Sequence, residues 1–535
     1  MSKKIGSAIL VMIMAVTVVL TGCSGNNQEN AANSASAGAS GQAEQTEQSS
    51  AEPPAEAIEY LMYAHNFQNF ESGNDRVLQF LEDKFNLKLR LSGAPWEGYL
   101  DKLGVKINTG ETPDLFFSIP DEPSYRTWVD NGLLLPLNDY FDQAPHLKAL
   151  FETEQFKNLK FNGNYYFLPM ISVANNHAVY YRKDWLDKVG MKEPTNIDEF
   201  YDMIKAFTQD DPDDNGKNDT VGLAGSKVLE WFDPLQTGFG IRPSWNQNAQ
   251  GEYEPYQFTE GYKNYLEWMA KAYQDGFIQK EFFLYDDPQK DESFYAGKAG
   301  VLITHSGWKA DEVVQKLTSV NPDSQIGLLA PPDGPGGEGG MHGGGGWWGG
   351  WSISADAQNP ERLVQLLDYL LSPDGQMLRM YGVDGVHYIL EGDKVVANVE
   401  ERKKDEKRFG GEADNPTGPY VLGQYFGEHY LTIDDGKVNL KVDYSTFQNP
   451  ELAQKADELI NHNIVFSDTT NILGYPEQFG EINQKLNDLA NKYSIMVISG
   501  QVNVNEAWDK MMKEANDAGY ATAQQLVKET VDSLK

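Results

Sequence analysis

Apolar and polar residues alternate with two different periods along the first folded part of the chain. Residues 58–65 form a short apolar run typical of a buried strand, and residues 75–85 repeat apolar positions at helical spacing. A second strand is predicted at 87–91, a helix at 99–107 and a third strand at 114–118. This alternation of strands and helices predicts an α/β fold with a parallel sheet.

The loops that follow these strands are candidates for ligand binding. Ligands of parallel α/β sheets bind beyond the carboxyl ends of the strands. The rule places residues 65–67, 93–97 and 118–121 at the binding edge. These loops contain ligand-type side chains, including Asn66 and Trp96, although position in a loop would by itself also explain their composition.

The same patterns continue through the rest of the chain. Asn196 and Glu199 have capping-box spacing at the start of an apolar stripe that reaches Phe207. Another helix is predicted at 360–371, and residues 441–535 are predicted to be mostly helical. A chain of 535 residues exceeds what one core usually holds, so two or more domains are expected.

Residues 1–22 have the pattern of a secretory signal peptide. Two lysines precede an apolar run from Ile5 to Leu20, which is short for a membrane span. The letters LTGC at 20–23 resemble the bacterial lipobox, which implies cleavage before Cys23, a diacylglycerol on its thiol and often an acyl chain on the new amine. Cys23 is therefore predicted to anchor the protein at the extracytoplasmic face of the cell membrane. The alternative is an ordinary secretory signal with an incidental cysteine.

Residues 23–57 lack large apolar side chains and are rich in Ser, Gly, Ala, Asn, Gln and Glu. Such a segment cannot bury enough surface to offset its ordering entropy, so it is predicted to be a flexible tether. Cys23 is the only cysteine, which excludes an intramolecular disulfide. Stability must therefore come from the core of residues 58–535.

Charge and aromatic content narrow the class of ligand. The chain has 44 basic and 79 acidic residues, a net charge of −35. This balance argues against nucleic acid and against an anionic lipid surface, so membrane contact is expected only through the lipid anchor. Aromatic residues make up 12% of the chain. Sugar sites combine aromatic faces with polar hydrogen-bonding groups, and this composition is compatible with such a site.

Five short motifs occur in a characteristic order: GETPD at 110–114, YYRKDWLDKVG at 180–190, PTNIDEF at 194–200, NPERL at 359–363 and DYL at 368–370. Together they resemble the extracellular solute-binding proteins of the family that includes maltose-binding protein, and most closely its long lipoprotein branch containing the alginate-binding proteins. The resemblance implies a two-lobe periplasmic-binding-protein fold with a hinge crossed three times. It also implies a ligand enclosed in the cleft between lobes and a closed form that docks on a membrane permease.

On this resemblance, lobe 1 is expected at approximately 58–172 with part of 345–440. Lobe 2 is expected at approximately 173–335 with much of 441–535. The first crossing would place Asn176 near the cleft.

The second crossing falls in a glycine-rich stretch. Glycines between 334 and 350 could serve the hinge. A disordered surface loop explains the glycines of residues 336–346 equally well.

The function implied is capture of a carbohydrate, in particular an oligosaccharide, for the permease subunits of an ABC-type importer, by a protein expected to be a monomer. A lipid-anchored sugar sensor or adhesin could use the same module. A secreted carbohydrate-active enzyme is the third alternative, but the sequence contains no Gly-x-Ser-x-Gly elbow, Walker loop or dinucleotide fingerprint. The pair Glu97 and Asp101 has helical spacing and a plain surface explanation. The protein is therefore predicted not to be an enzyme.

A run of alternating acidic residues resembles the calcium loop of an EF-hand. The matching ligand positions are Asp211, Asp213, Asn215, Lys217 through its backbone carbonyl, and Asp219. Position 12 is Gly222, so the bidentate glutamate is missing, and position 10 is Thr220 where the alginate-binding relatives carry a carboxylate. A structural Ca²⁺ is predicted here, with a solvated acidic turn as the alternative.

Tryptophans in loops or at element ends are the candidate sugar-stacking residues. The candidate ligand-binding residues are Asn66, Trp96, Trp128, Asn176, Trp231, Trp308, Trp347 and Trp348. Within the WWGGW cluster, Trp347 or Trp348 is assigned to ligand and Trp351 to the core. The eight histidines have no metal-ligand spacing, so zinc and copper sites are not expected.

Overall fold

The computed structural model describes residues 57–67, 75–171, 177–343, 346–392, 394–405, 430–434, 437–441, 444, 447–462, 464–467 and 473–533. The predicted signal peptide, Cys23, all but the last residue of the predicted tether, and Asn176 lie outside these ranges. Within them, no helix combines the length and the apolar character that crossing a membrane requires.

The strands are β1 (Ile58–His65), β2 (Leu87–Ala94), β3 (Leu115–Ser118), β4 (Phe167–Ile171), β5 (His177–Arg182), β6 (Val221–Leu223), β7 (Trp245–Gln247), β8 (Tyr253–Pro255), β9 (Ala299–His305), β10 (Ile326–Leu329), β11 (Met341–Gly343), β12 (Trp347–Ile353), β13 (Tyr388–Glu391), β14 (Lys394–Ala397), β15 (Tyr430–Asp434), β16 (Lys437–Lys441) and β17 (Ile464–Ser467).

The α-helices are α1 (Arg76–Phe85), α2 (Tyr99–Asn108), α3 (Pro123–Asp130), α4 (Pro145–Phe151), α5 (Lys183–Lys188), α6 (Ile197–Gln209), α7 (Glu260–Gln274), α8 (Asp287–Tyr295), α9 (Ala310–Val320), α10 (Pro360–Leu371), α11 (Pro373–Tyr381), α12 (Val399–Arg402), α13 (Pro450–His462), α14 (Glu477–Ile498), α15 (Val504–Ala518) and α16 (Tyr520–Ser533). A 3₁₀ segment at Leu229–Leu235 follows β6.

The first sheet has the strand order β2-β1-β3-β12-β4. β1 is parallel to β2 and β3, and β12 is antiparallel to both β3 and β4. The carboxyl ends of β1 to β4 therefore meet the amino end of β12 at one edge of the sheet. This lobe 1 edge contains His65, Ala94, Ser118, Ile171 and Trp347.

The second sheet has the strand order β10-β5-β9-β6. β6 is parallel to β9, and β5 is antiparallel to β9 and β10. One edge of this sheet therefore joins the carboxyl ends of β6, β9 and β10 to the amino end of β5. This lobe 2 edge contains Leu223, His305, Leu329 and His177.

Each sheet is covered by helices and has its own apolar core. Trp351 and Leu367 belong to the core of the first sheet. The second sheet is buried on both faces, since Tyr181 of β5 enters one core and its neighbour Tyr180 enters another. Neighbouring residues of a strand point to opposite faces, so a strand covered on both sides is apolar throughout. This explains the continuous apolar run along β5.

Over the described residues, the chain leaves the first core after β4, returns to it between β10 and β12, and leaves it again between β15 and α13. Leu473, beyond β17, packs against the first core once more. Leu431 of β15 lies in the core of the first sheet, whereas Tyr444 and α13 pack on the second. The two-lobe α/β fold with three hinge crossings is the one predicted from the sequence. The prediction that the C-terminal part is mostly helical is also confirmed for its described residues, with β17, paired to β11, as a strand within it.

Local signals in the sequence account for the ends of several helices. The side chain of Asn196 accepts a hydrogen bond from the backbone N–H of Glu199 at 3.0 Å, and α6 begins at the next residue, Ile197. An oxygen at this position satisfies a backbone donor that the first helical turn leaves without a partner. Ser372 ends α10 and also caps α11 through the N–H of Gly375. The predicted helices at 197–207 and 360–371 are confirmed.

The glycine-rich segment before β11 is packed against the backbone of lobe 2. A Cβ on Gly336 would lie 2.1 Å from the carbonyl carbon of Phe239, and one on Gly334 would lie 2.4 Å from the carbonyl oxygen of Gly238. The hydroxyl of Thr237 also donates to the carbonyl of Gly340 at 2.7 Å. These glycines are therefore needed for close backbone approach, and the alternative of a disordered surface loop does not describe residues 334–340.

Candidate functional site

Five rings meet at the lobe 1 edge: those of His65, Trp96, Tyr99, Phe117 and Trp348. The ring centroid of His65 lies 5.2 Å from that of Trp96 and 5.7 Å from that of Trp348. The two tryptophan rings are 5.3 Å apart, and Phe117 lies 5.4 Å from Trp348. We call this group the lobe 1 ring cluster.

The two tryptophans of the lobe 1 ring cluster face solvent, and its inner rings support them. Trp96 is 39% exposed and Trp348 is 42% exposed, whereas Tyr99 and Phe117 are fully buried. Burial lowers the pKa of His65 to about 4, so this imidazole is neutral at physiological pH. The edge therefore offers exposed aromatic surface on an uncharged base, which suits an apolar face of a ligand.

A local distortion of β12 lets Trp348 reach the cluster. The pairing of β12 with β4 shifts register between Trp347 and Gly350. Gly349 has a φ of 61°, and a Cβ there would lie 2.5 Å from the Phe117 ring. Only glycine fits such a bulge without strain. Beyond it, Trp351 is fully buried as predicted.

The lobe 2 edge contains a compact polar and aromatic group. Nδ1 of His177 lies 2.9 Å from Oδ1 of Asp233, and the His177 ring centroid lies 4.4 Å from that of Trp231. The ring of His305 stands edge-on to Trp231 at 4.9 Å. The Lys290 ammonium lies over the Trp231 ring, 4.1 Å from its centroid. We call these five residues the lobe 2 polar cluster.

Electrostatic effects differ between the two histidines of the lobe 2 polar cluster. Burial would lower the pKa of His177, but the carboxylate of Asp233 outweighs burial and raises it. Burial, reinforced by the positive charge of His177, lowers the pKa of His305 to about 3. Burial also lowers the pKa of Lys290 despite the neighbouring Asp291. The cluster therefore holds one imidazole that can carry charge and one that stays neutral.

A short segment of the chain connects the lobe 1 edge to the lobe 2 edge. Ile171 ends β4 at the lobe 1 edge and His177 begins β5 at the lobe 2 edge. Six peptide steps span at most about 20 Å. The lobe 1 ring cluster and the lobe 2 polar cluster therefore belong to neighbouring sheet edges, which is where α/β proteins bind ligands.

The profile of the bacterial extracellular solute-binding protein family matches residues 63–377, which is more than half of the chain. The chain belongs to this family. The resemblance inferred from the sequence motifs is thus confirmed. This solute-binding protein is 28% identical over 340 residues to the polygalacturonan/rhamnogalacturonan-binding protein YtcQ of Bacillus subtilis, covering 62% of this chain and 67% of that one. It is 27% identical over 348 residues to lipoprotein LipO of Bacillus subtilis, covering 62% and 68%.

A third relative covers more of the solute-binding protein. It is the fructooligosaccharide ABC transporter substrate-binding protein FusA of Streptococcus pneumoniae. The two are 23% identical over 477 residues, which cover 83% of this chain and 84% of FusA. Among solved structures, alginate-binding protein AlgQ2 without calcium ion superposes with a TM-score of 0.67 at 20% identity, covering 89% of this chain and 98% of that one. The structure of FusA in complex with kestose superposes with a TM-score of 0.66 at 18% identity, covering 90% of this chain and 99% of that one. These likenesses show the two-lobed fold.

Two tryptophans of the solute-binding protein lie where their rings are enclosed. Trp128 is predicted at a loop or element end, but it lies within α3, is 4% exposed and packs against Phe116 and Tyr125. It belongs to the inward stripe of α3, and this corrects the prediction. Trp231 is at the lobe 2 edge but is only 9% exposed, because His177, His305 and Lys290 surround its ring. Stacking of a sugar on Trp231 would require displacing one of them.

The remaining predicted residues have different surroundings. Asn66 is exposed beside His65, with a φ of 61°. Trp347 is half-buried, and its ring centroid lies 5.4 Å from that of Phe167. Trp308 belongs to a 3₁₀ turn just after β9, and its side chain is not among the described ones. Of the predicted ligand-binding set, the structure brings Trp96 and Trp348 into one exposed cluster.

Histidines are the residues that sequence reasoning undervalued in this solute-binding protein. No histidine is among the predicted ligand-binding residues, yet His65, His177 and His305 each stand at the edge-facing end of a strand. The strand-end rule already places His65 at the binding edge. Asp233 lacked such a signal, because its role depends on a 3₁₀ turn that carries it to His177.

The calcium-type loop brings three of its predicted ligands together. The side-chain amide of Asn215 donates to Asp213 at 2.7 Å and to Asp219 at 2.9 Å. The other oxygen of Asp213, Oδ1, is buried and has no hydrogen-bond partner. Among the described residues, no three His, Cys, Asp or Glu side chains are grouped as metal ligands. The donor oxygens nevertheless suit Ca²⁺, because turning the Asn215 amide would present Oδ1 between the two carboxylates.

Proposed function

We propose that this protein captures an oligosaccharide between the lobe 1 ring cluster and the lobe 2 polar cluster and delivers it to the permease of an ABC-type importer. The observation that carries the proposal is the pair of exposed rings, Trp96 and Trp348, held at a sheet edge in a chain of this family. Sugars present flat C–H faces that stack on aromatic rings. The relatives YtcQ and FusA, named for the polysaccharides and oligosaccharides they bind, support the same class of ligand.

The two edges supply complementary contacts in the proposed complex. Lobe 1 contributes ring surface for the apolar faces of sugar rings. Lobe 2 contributes His177, Asp233 and Glu230, whose polar atoms can hydrogen-bond sugar hydroxyls. Closure of the lobes by a hinge motion would bring the second set onto a ligand held by the first. No bond of the ligand is broken in this scheme, and binding without turnover distinguishes it from a carbohydrate-active enzyme.

We also propose that Cys23 is lipidated and holds the protein at the outer face of the membrane. LipO, a relative that is named as a lipoprotein, supports this location. Mass spectrometry of the membrane-extracted protein should find diacylglycerol on Cys23, and Cys23→Ala should release the protein into the medium. A sensor or adhesin would be anchored in the same way, so growth on the bound sugar must also fail when the gene is deleted if the importer role is correct.

The binding function is tested by calorimetric titration of the purified protein with neutral and acidic oligosaccharides. We expect at least one oligosaccharide to bind with a Kd in the micromolar range or below, and to be recovered unchanged after prolonged incubation. Cleavage of the ligand would contradict the binder role. Binding of peptides or amino acids without any sugar would contradict the choice of ligand.

We further propose that the loop from Asp211 to Asp219 binds a structural Ca²⁺. The loop follows α6 directly, and the hydroxyl of Thr220 ties its end to the carbonyl of Phe207 at 2.7 Å. An ion held between Asp213 and Asp219 would brace the connection from α6 to β6. Water would have to supply the ligand that a carboxylate at position 10 would have provided.

Calcium should raise the melting temperature of the protein, and chelation should lower it. A ligand at a hundredfold excess over its Kd stabilises the folded state by about 2.7 kcal/mol. Asp213→Asn should abolish the calcium response. Asp214→Asn is the matched control, because it removes the same charge from a residue outside the predicted ligand set, and the Asp214 side chain is 83% exposed. Equal responses in both variants would contradict a bound ion.

A further inference from the structure

The charged groups of the two edges bear on the charge of the ligand, which the aromatic rings do not determine. Three loops of the lobe 1 edge contain carboxylates and no lysine or arginine. The loops are 65–67, 92–98 and 118–122, and their carboxylates are Glu97, Asp121 and Glu122. Glu122 is exposed to solvent, yet its pKa is raised by desolvation. These loops therefore bring negative charge and no lysine or arginine to the lobe 1 edge.

Three lysines lie near the lobe 2 edge, and each forms an ion pair with an aspartate, although two of them share the same one. Lys290 lies 3.0 Å from Asp291 and donates to the carbonyl of Ile303 at 2.6 Å. Lys309 is paired with the same Asp291. Lys227 lies 2.5 Å from Asp286. Asp286 and Asp291 thus offset two of the three positive charges.

Carboxylates remain in excess beside these pairs. Glu230 is exposed to solvent. Desolvation raises its pKa, the charge of His177 opposes this rise, and the charges of Asp233 and Asp287 add to it. Asp233 bonds to His177, and Asp287 accepts the Trp231 indole N–H at 2.7 Å. Glu230 is thus the accessible carboxylate of this edge, in surroundings that already disfavour negative charge.

We propose that the interlobe cleft selects uncharged oligosaccharides over uronate-containing ones, and that Glu230 is a specificity-determining residue for this choice. The inference rests on the proposed sugar-binding function and deepens it. A uronate residue would bring a carboxylate into a cleft where Glu122 on the lobe 1 side, with Glu230 and Asp287 on the lobe 2 side, outnumber the available positive charges. A neutral sugar places hydroxyl groups there, and these donate hydrogen bonds to carboxylate oxygens.

The test compares two ligands that differ only in charge. An oligogalacturonate and the same oligosaccharide after reduction of its carboxyl groups are titrated by calorimetry, beside a neutral fructooligosaccharide such as kestose. A neutral ligand should bind at least about fivefold more tightly than the uronate, since one like-charge contact at about 4 Å costs about that factor in water. Raising the ionic strength should narrow the difference.

A single substitution then tests whether Glu230 causes the preference for the neutral ligand. Glu230→Gln should reduce the preference for the neutral ligand several-fold, whereas Glu529→Gln, which removes the same charge from an exposed position on α16, should leave it unchanged. Equal or tighter binding of the uronate overturns the proposed selectivity but leaves the sugar-binding function standing. An unchanged preference in Glu230→Gln overturns the role of Glu230. If neither class of sugar binds, the proposed function fails together with the inference.

Discussion

Replacing Trp96 or Trp348 by alanine should lower the affinity for the oligosaccharide by about tenfold each, and the double replacement by about a hundredfold. The two rings are the exposed members of the lobe 1 ring cluster, so they lose their contacts with ligand without opening a cavity in the core. Each ring buried against a sugar contributes about 1.5 kcal/mol from removal of apolar surface and from stacking. Calorimetric titration of the three variants measures the effect.

Two controls separate loss of stacking from loss of folding. Trp96→Phe and Trp348→Phe keep a ring and should retain most of the affinity. Trp508→Ala removes a half-buried ring from α15, away from both edges, and should change the melting temperature but not the Kd. If the alanine variants at both edge positions bind as the unmodified protein does while remaining folded, the ligand does not stack on the lobe 1 ring cluster.

Replacing Asp405 by alanine should destabilise the protein by about 3–5 kcal/mol, because it leaves charged and polar partners buried without their acceptor. Asp405 is 1% exposed, accepts from the backbone N–H and Nε of Arg76 at 3.1 and 3.2 Å, and lies 2.9 Å from Nε2 of His387. Nδ1 of His387 accepts from the N–H of Val383 at 2.9 Å, so the ring proton lies on Nε2 and points to Asp405. The carboxylate therefore joins α1 to the segment after α11.

The contribution of Asp405 to stability should depend on pH. Burial opposes ionisation, but the hydrogen bonds from His387 and Arg76 outweigh it and hold the pKa of Asp405 well below its ordinary value. A depressed folded-state pKa contributes stability above the unfolded-state value, about 3.9, and this contribution is lost as the pH falls below it. The difference in unfolding free energy between the native chain and Asp405→Asn should therefore be smaller at pH 3 than at pH 7.

Urea denaturation at both pH values measures this difference. Glu400→Gln is the control, since Glu400 is exposed, pairs with Lys403 on the surface and should change the unfolding free energy by less than about 1 kcal/mol. A difference between the native chain and Asp405→Asn that stays constant from pH 7 to pH 3 would contradict the assignment.

Much of the fold follows from local pattern. The apolar stripe and the cap at Asn196 determine where α6 begins, and the alternation of strands and helices determines the parallel arrangement of β1, β2 and β3. Both depend on residues that are close in the sequence. The rule that ligands bind at strand ends also predicts that the loops containing Trp96 and His65 lie at the binding edge.

Tertiary structure decided which of the predicted aromatic residues are available to a ligand. Trp128 and Trp96 are both predicted in loops or at element ends, yet one is buried by Phe116 and Tyr125 and the other is exposed beside Trp348. Trp348 reaches this place only because β12, from late in the chain, inserts between β3 and β4. Trp231 is enclosed because β5, β9 and α8 bring His177, His305 and Lys290 around it.

The sequence by itself determined the two-lobe α/β class, the family, the candidate calcium loop and the edges at which a ligand would bind. Those features depend on periodicity, on short motifs and on a general property of parallel sheets. The exposure of each ring, the charge balance of the edges and the buried partners of Asp405 were decided by tertiary structure. They depend on contacts between residues that are tens to hundreds of positions apart, such as Arg76 with Asp405, and local pattern does not contain that information.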